Sequence, residues 1–221
     1  MRRSICLTSA ILFGVIASVA QGRYGTDAHF IASIPTARFG QNFDTGLGAE
    51  LSFYWETEDY LRIAAVFGYQ HWPINKEAVS RYYTEMGGAG TLNPEGGTGA
   101  FPILLSLKLI SPKPGVKPYG MVEGGFYIYT FKVSGTYTYG GTEQPIPDKT
   151  TSRTEPAFNL GFGILFPIDA DISADLHLRY HIVKNSTYYQ YDSNSGASDV
   201  TVSTSNFLSI ALGISYSFAI N

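Results

Sequence analysis

The sequence predicts an all-β fold: a single eight-stranded antiparallel up-and-down transmembrane β-barrel. Three observations predict it. Apolar and polar residues alternate with period two in eight separate segments, the signature of strands with two unlike faces. Short and long connections alternate between those segments. After residue 20 no apolar run approaches the roughly 18 residues of a spanning helix. A chain of this kind can cross a bilayer only as a closed barrel.

The strands follow in order. In the first, Ala28, Phe30, Ala32 and Ile34 oppose Asp27, His29, Ile31 and Ser33. Next, Leu47, Ala49, Leu51, Phe53 and Trp55 oppose Gly46, Gly48, Glu50, Ser52 and Tyr54. Leu61, Ile63, Ala65, Phe67 and Tyr69 then oppose Arg62, Ala64, Val66, Gly68 and Gln70. Phe101 to Leu109 sets Ile103, Leu105 and Leu107 against Leu104, Ser106 and Lys108. The fifth sets Val122, Phe126 and Ile128 against Tyr119, Met121, Glu123 and Tyr127. The last three cover 158–166, 172–182 and 208–218 with the same alternation. Each is near the length that crosses a bilayer at a tilt, roughly ten residues.

Turns around Glu56–Asp59, Ser111–Lys117 and Pro167–Ala170 are short. The stretches Thr36–Asp44, Pro73–Thr98, Val133–Thr154 and Lys184–Ser205 read as longer loops. This asymmetry fits periplasmic turns and extracellular loops, with both chain ends on the turn side. Within the loops, Asn75–Met86 can form a short helix, and Tyr137, Tyr139, Tyr188, Tyr189 and Tyr191 make two Tyr-rich stretches. The segment from Val200 to Thr204 is expected to pair back across a turn at Asn194-Ser195-Gly196.

Residues 1–20 read as a cleaved secretory signal peptide. Arg2 and Arg3 supply the positive start, Ile5 to Ala17 the apolar stretch, and Ser18-Val19-Ala20 the small residues before a cut at Gln21. Residues 21–221 then form one barrel domain. Removing the two arginines takes the formal charge from −3 to −5 and removes Cys6, the single cysteine of the 221-residue chain. That balance gives no electrostatic footprint for nucleic acid, and one cysteine excludes a disulfide framework or a multi-Cys zinc site. Charged residues are only 15% of the chain and aromatics reach 14%, a composition too apolar for disorder.

A soluble barrel would turn the apolar face inward; here the polar face reads as the interior. It is rich in Gly, Ala and Ser, which suits the narrow lumen of eight strands. It carries about one charge per strand: Asp27, Glu50, Glu123 and Asp175 against Arg62, Lys108 and Arg179. These seven are expected to pair within the lumen as a salt-bridged plug, since an unpaired buried charge is costly. Glu50 and Arg62, on strands joined by one short turn, are expected to approach diagonally. Asp175 and Arg179 are too far apart along one strand to pair and must find other partners. Aromatics gather at the strand ends, as at membrane interfaces. Trp55, Tyr60, Phe166, Tyr216 and Phe218 fall on the turn side; Tyr69, Trp72, Phe101, Phe126, Phe158 and Tyr180 fall on the loop side.

His177 and His181 share the inward face but lie about 13 Å apart along the strand, too far to share a metal. His29 is expected to reach one of them only across the barrel. The histidines therefore read as polar core, with no metal site and no cofactor.

The C-terminal strand, Ala211-Leu212-Gly213-Ile214-Ser215-Tyr216-Ser217-Phe218, resembles the signal read by the barrel assembly machinery. Gly213, Tyr216 and Phe218 carry the likeness. Ala211 stands where a polar residue is usual, and three residues follow the terminal aromatic. With that strand and the hairpin pattern, the chain resembles the small outer-membrane barrels of the OmpA/OmpX-like class. The resemblance implies a monomer in the cell outer membrane, in contact with lipid and lipopolysaccharide. It implies a non-enzymatic structural or surface role through the extracellular loops, with the surface ligand unspecified. Two alternatives stay open: a narrow, OmpW-like channel or carrier for small or hydrophobic solutes, and a lipid-modifying enzyme. A deacylase of the outer-membrane kind would want His-x-Ser on one strand, and the residue two places after His181 is Val183.

Overall fold

Strands of β1 (Arg23–Pro35), β2 (Gly46–Glu56), β3 (Leu61–Pro73), β4 (Thr91–Ile110) and β5 (Lys117–Tyr139) follow one another along the chain. They continue into β6 (Thr142–Pro167), β7 (Ile172–Lys184), β8 (Thr187–Asp192), β9 (Gly196–Thr201) and β10 (Thr204–Phe218). Helix α1 (Ala37–Asn42) follows β1 and helix α2 (Lys76–Glu85) follows β3. This is a computed structural model that describes residues 22–57, 60–85, 87–184, 187–192, 196–201 and 204–218. The stretch read as a leader lies outside the described residues.

Eight strands close a ring in the order β1-β10-β7-β6-β5-β4-β3-β2. Every neighbour is antiparallel, and the seam joins the chain's two ends, with Tyr24 opposite Phe218. Closure leaves no strand edge within the bilayer, where an unpaired backbone group would be unsatisfied. Strands β8 and β9 form a separate hairpin with Tyr188 opposite Val200, the back-pairing expected there. Its turn, residues 193–195, lies outside the described residues.

Side chains alternate along each membrane strand between the lumen and the outside. Phe30, Phe53, Leu105, Phe162, Leu212 and Ile214 are among the apolar side chains left exposed around the wall. Such a belt far exceeds the apolar patch a soluble monomer carries, and it faces lipid. Among the described residues no helix is long and apolar enough to span a membrane.

Three expectations are corrected. Trp72 does not belong to the outer aromatic belt: it is fully buried and points into the lumen. It shares the even-numbered face of β3 with Arg62, Val66 and Gln70, so strand parity overrules its position near the end. The stretch Thr36–Asp44 is not an open loop, because α1 folds there over the barrel mouth. Finally, β4, β5 and β6 run well past the membrane, to a tip at Gly140-Gly141 (φ +57° and +80°). A sheet wetted on both faces needs no apolar face, so alternation fades there although the ladder continues.

This projecting sheet has two edges. Helix α2 lies along the β4 edge: Ser80 donates its hydroxyl to the Leu92 carbonyl at 2.7 Å, and the Tyr83 and Tyr137 rings meet edge-on at 6.0 Å. Asn75 caps that helix by accepting the Ala78 N–H at 2.9 Å, and Gly87 (φ +84°) ends it. The other edge, β6 before Ala157, pairs with no further strand among the described residues. Pro145, Pro147 and Pro156 lie along it and remove donors that a foreign strand would need.

The lumen is filled in layers. At the turn end Ile110, Tyr119, Met121 and Leu165 form an apolar floor. At the loop end Phe39 of α1 packs on Trp72, Phe43 and Phe207, with ring centroids 5.4, 4.9 and 6.3 Å away. Ala37 holds a left-handed backbone (φ +51°) at the start of α1. That strain persists because Phe39 is fully buried in the mouth.

Candidate functional site in the barrel interior

Between the two apolar layers lies a polar slab. The structure puts all seven charges named from the sequence into it, each buried. Arg62 and Lys108 stand directly opposite one another on β3 and β4, a like-charge pair. Asp27 of β1 lies between them, 3.1 Å from Arg62 Nη1 and 3.3 Å from Lys108 Nζ. Ser52 donates to the same carboxylate at 2.8 Å. Arg62 continues outward to Glu56 at 2.6 Å and stacks on the Tyr54 ring, its guanidinium carbon 3.7 Å from the centroid. Lys108 also reaches Asp175 of β7 at 3.3 Å.

A second knot centres on Arg179. Its guanidinium donates to Glu50 at 2.8 and 3.0 Å and to Glu123 at 3.1 Å. Asn159 donates to Glu123 at 2.9 Å. The expected diagonal pair of Glu50 with Arg62 does not form. The register sets Glu56 opposite Arg62 and Gly68 opposite Glu50. Six residues along β2 separate the two levels, roughly 20 Å at strand rise. Glu50 therefore reaches across the lumen. Tyr54, Tyr119, Asn159 and Ser52 complete the network and carried a signal: each is a polar or phenolic group on an inward position, where it needs a partner.

The histidines are closer together than the sequence suggested. His29 Nε2 lies 3.0 Å from Asp175 Oδ2, and the His29 and His177 rings touch at 4.7 Å between centroids. Gly213 makes this possible. It pairs with His29 on one side and with Asp175 on the other, and a Cβ there would sit 2.4 Å from the His29 ring. Two strands thus meet over a residue with no side chain. His181 lies apart, its Nδ1 2.8 Å from the Tyr127 hydroxyl and its Nε2 2.7 Å from Ser209 Oγ. The serine partner that the sequence lacks at position 183 arrives instead from β10. All three groups are fully buried beneath Phe207, which stacks on His181 at 4.0 Å.

The proposed assembly residues divide by face. Tyr216 and Phe218 are exposed and lean together at 6.1 Å at the turn end of β10, free to be read by another protein. Gly213 points inward and serves the interior. The double change Tyr216→Ala with Phe218→Ala is expected to lower folded barrel in the membrane severalfold, while barrel that does fold unfolds at a nearly unchanged temperature. Gly213→Leu is expected to destabilise the folded form itself. Quantitative blotting with heat-modifiable gel mobility separates the two outcomes.

No protein-family model matches the chain, and no curated protein sequence matches it significantly. Solved structures do match. OprG of Pseudomonas aeruginosa has a TM-score of 0.55 at 14% identity, over 91% of this chain and 98% of that one. Neisserial surface protein A gives 0.52 at 15% identity, over 88% and 97% of the two chains. Ail, the attachment invasion locus protein of Yersinia pestis, gives 0.51 at 13% identity, over 90% and 99%. At these identities the likeness is one of fold, and the fold is that of the small eight-stranded outer-membrane β-barrels to which the OmpA/OmpX-like resemblance pointed.

Proposed function

We propose that this chain is a closed, non-enzymatic outer-membrane barrel that acts at the cell surface through its loop-side sheet. The filled lumen carries the reading. An ion-paired slab lies between an apolar floor and an apolar roof, an arrangement suited to a wall and ill suited to a conduit. The Ser209–His181–Tyr127 array supports the non-enzymatic reading because a substrate carbonyl has no approach to a fully buried hydroxyl. What the chain offers to a partner is the projecting β4–β5–β6 sheet, with Tyr139 exposed and stacked on Tyr137 at 6.4 Å. Tyrosine supplies contact area at low entropic cost. Attachment is the role printed in the name of the Yersinia protein of like fold, and it is the class of role proposed here. In the membrane the partners are lipid and lipopolysaccharide, with the assembly machinery engaged during insertion and the barrel working as a monomer.

The test pairs two measurements. Purified barrel in planar bilayers is expected to give no stable conductance steps. Cells expressing it are expected to gain adherence to host cells or matrix, and to lose it when residues 134–148 are replaced by a two-residue turn. Steady wild-type conductance favours the channel, and adherence unaffected by shortening the hairpin removes the surface role.

A further inference from the structure

We propose that His29, Asp175 and His177 form a binding site for a divalent first-row transition metal in the barrel interior. One ligand atom from each of the three lies within 4.8 Å of the other two. His29 Nε2 is 3.0 Å from Asp175 Oδ2, and His177 Nδ1 is 3.6 Å from Asp175 Oδ1. Donor atoms around a tetrahedral zinc, with bonds of about 2.0–2.2 Å, stand about 3.3 Å apart. The two histidine–carboxylate spacings, one to each oxygen of Asp175, fall on either side of that value. Two imidazoles and one carboxylate suit zinc, cobalt or nickel rather than calcium or magnesium.

Two further observations point to a cation. Buried polar atoms are normally satisfied. Yet neither ring nitrogen of His177 has a hydrogen-bond partner among the described residues, and its Nδ1 is the one that faces Asp175 Oδ1 at 3.6 Å. The slab also holds four carboxylates (Asp27, Glu50, Glu123, Asp175) against three fixed cations (Arg62, Lys108, Arg179), which leaves one negative charge in excess. The carboxylate is already oriented: Tyr119 donates to Oδ1 at 2.6 Å, and Lys108 approaches Oδ2 while keeping Asp27. Hydrogen bonds of this kind fix ligating carboxylates around bound metals.

All three residues are buried within the lumen. Metal is therefore captured as the barrel folds, and exchange from the folded form is slow. A metal held only by the folded state also raises its stability.

The chain is unfolded in chelator and refolded into detergent with Co(II), with Zn(II) or with chelator alone. One Co(II) per barrel is expected, with the intense visible absorption of a four-coordinate site whose fourth ligand is a water taken in with the ion. Zn(II) is expected to raise the unfolding temperature. Cobalt added after folding is expected to enter far more slowly. His29→Gln and His177→Gln are expected to lose the absorption, and His71→Gln, on the outer face of β3, to keep it. Absence of the absorption in wild type overturns the site. So does its survival in His177→Gln, or its loss in His71→Gln. For a His177→Gln chain that fails to fold, the wild-type pair decides: an unfolding temperature indifferent to Zn(II) overturns the site.

Discussion

Arg179→Ala is expected to be among the most destabilising single changes in this barrel. The guanidinium is the partner of two carboxylates, Glu50 and Glu123, in a slab closed to water. Truncation leaves both behind. Breaking a buried ion pair by removing one partner costs about 3–5 kcal/mol, because the remaining charge keeps its desolvation penalty. Arg179→Lys is expected to recover part of that loss, since one ammonium cannot reproduce a forked contact with Glu50 and a second with Glu123. Removing all three charges with Glu50→Gln, Glu123→Gln and Arg179→Met is expected to recover more. Urea unfolding in lipid vesicles measures the series. Lys76→Ala is the reference: its contact with Glu95 is 3.7 Å long and exposed, and such pairs contribute about 0–1 kcal/mol. Equal losses for Arg179→Ala and Lys76→Ala remove the interior network as a source of stability.

Trp72→Ala is expected to cost a similar amount for a different reason. The indole is fully buried in the roof, 5.4 Å from Phe39 and 5.0 Å from Phe207 between ring centroids. Deleting a buried aromatic of that size costs about 3–5 kcal/mol in lost burial and cavity. Phe53→Ala, facing lipid, is the control and is expected to change far less. The lumen is expected to stay shut in Trp72→Ala, because the ion-paired slab lies beneath the roof. Gly46 supplies an internal check. A Cβ at that position would sit 2.4 Å from Trp72 Cδ1. Gly46→Ala is therefore expected to cost more with Trp72 present than in Trp72→Ala, where the His71 carbonyl oxygen, 2.7 Å from the added Cβ, still resists it. Additive losses in the double variant mean that the two positions do not share the space.

Strand parity was legible because it is local. Asp27, Lys108 and Asp175 each reveal their face through the residues on either side. Pairing was not legible, since it depends on register around a closed ring. Glu50 finds Arg179 across the lumen, and His29 finds Asp175 over Gly213; no window of one sequence segment contains either meeting. Trp72 carries two opposed signals, a position near a strand end that points to the outer belt and a parity that points to the lumen, and the parity decides. Helix α1 carried no sequence signal, as six residues with a glycine among them have no amphipathic period. It exists because Phe39 and Phe43 fill the mouth. The projecting parts of β4, β5 and β6 look like loops in the sequence for the same reason that alternation marks the membrane strands: contrast between faces exists only where the two faces meet different surroundings.

Arg179 belongs to β7, and its carboxylate partners belong to β2 and β5. Around the ring those strands stand two, three and three places apart. The guanidinium is thus the hub of three spokes set at nearly equal intervals inside a hoop. A thin-walled tube fails under sideways load by flattening into an oval, which brings two opposite walls together and drives the others apart. Three spokes from one hub resist that distortion in every direction across the section. Lateral pressure from lipid and neighbouring proteins then falls on the brace before it can shear the ladders that keep the wall closed.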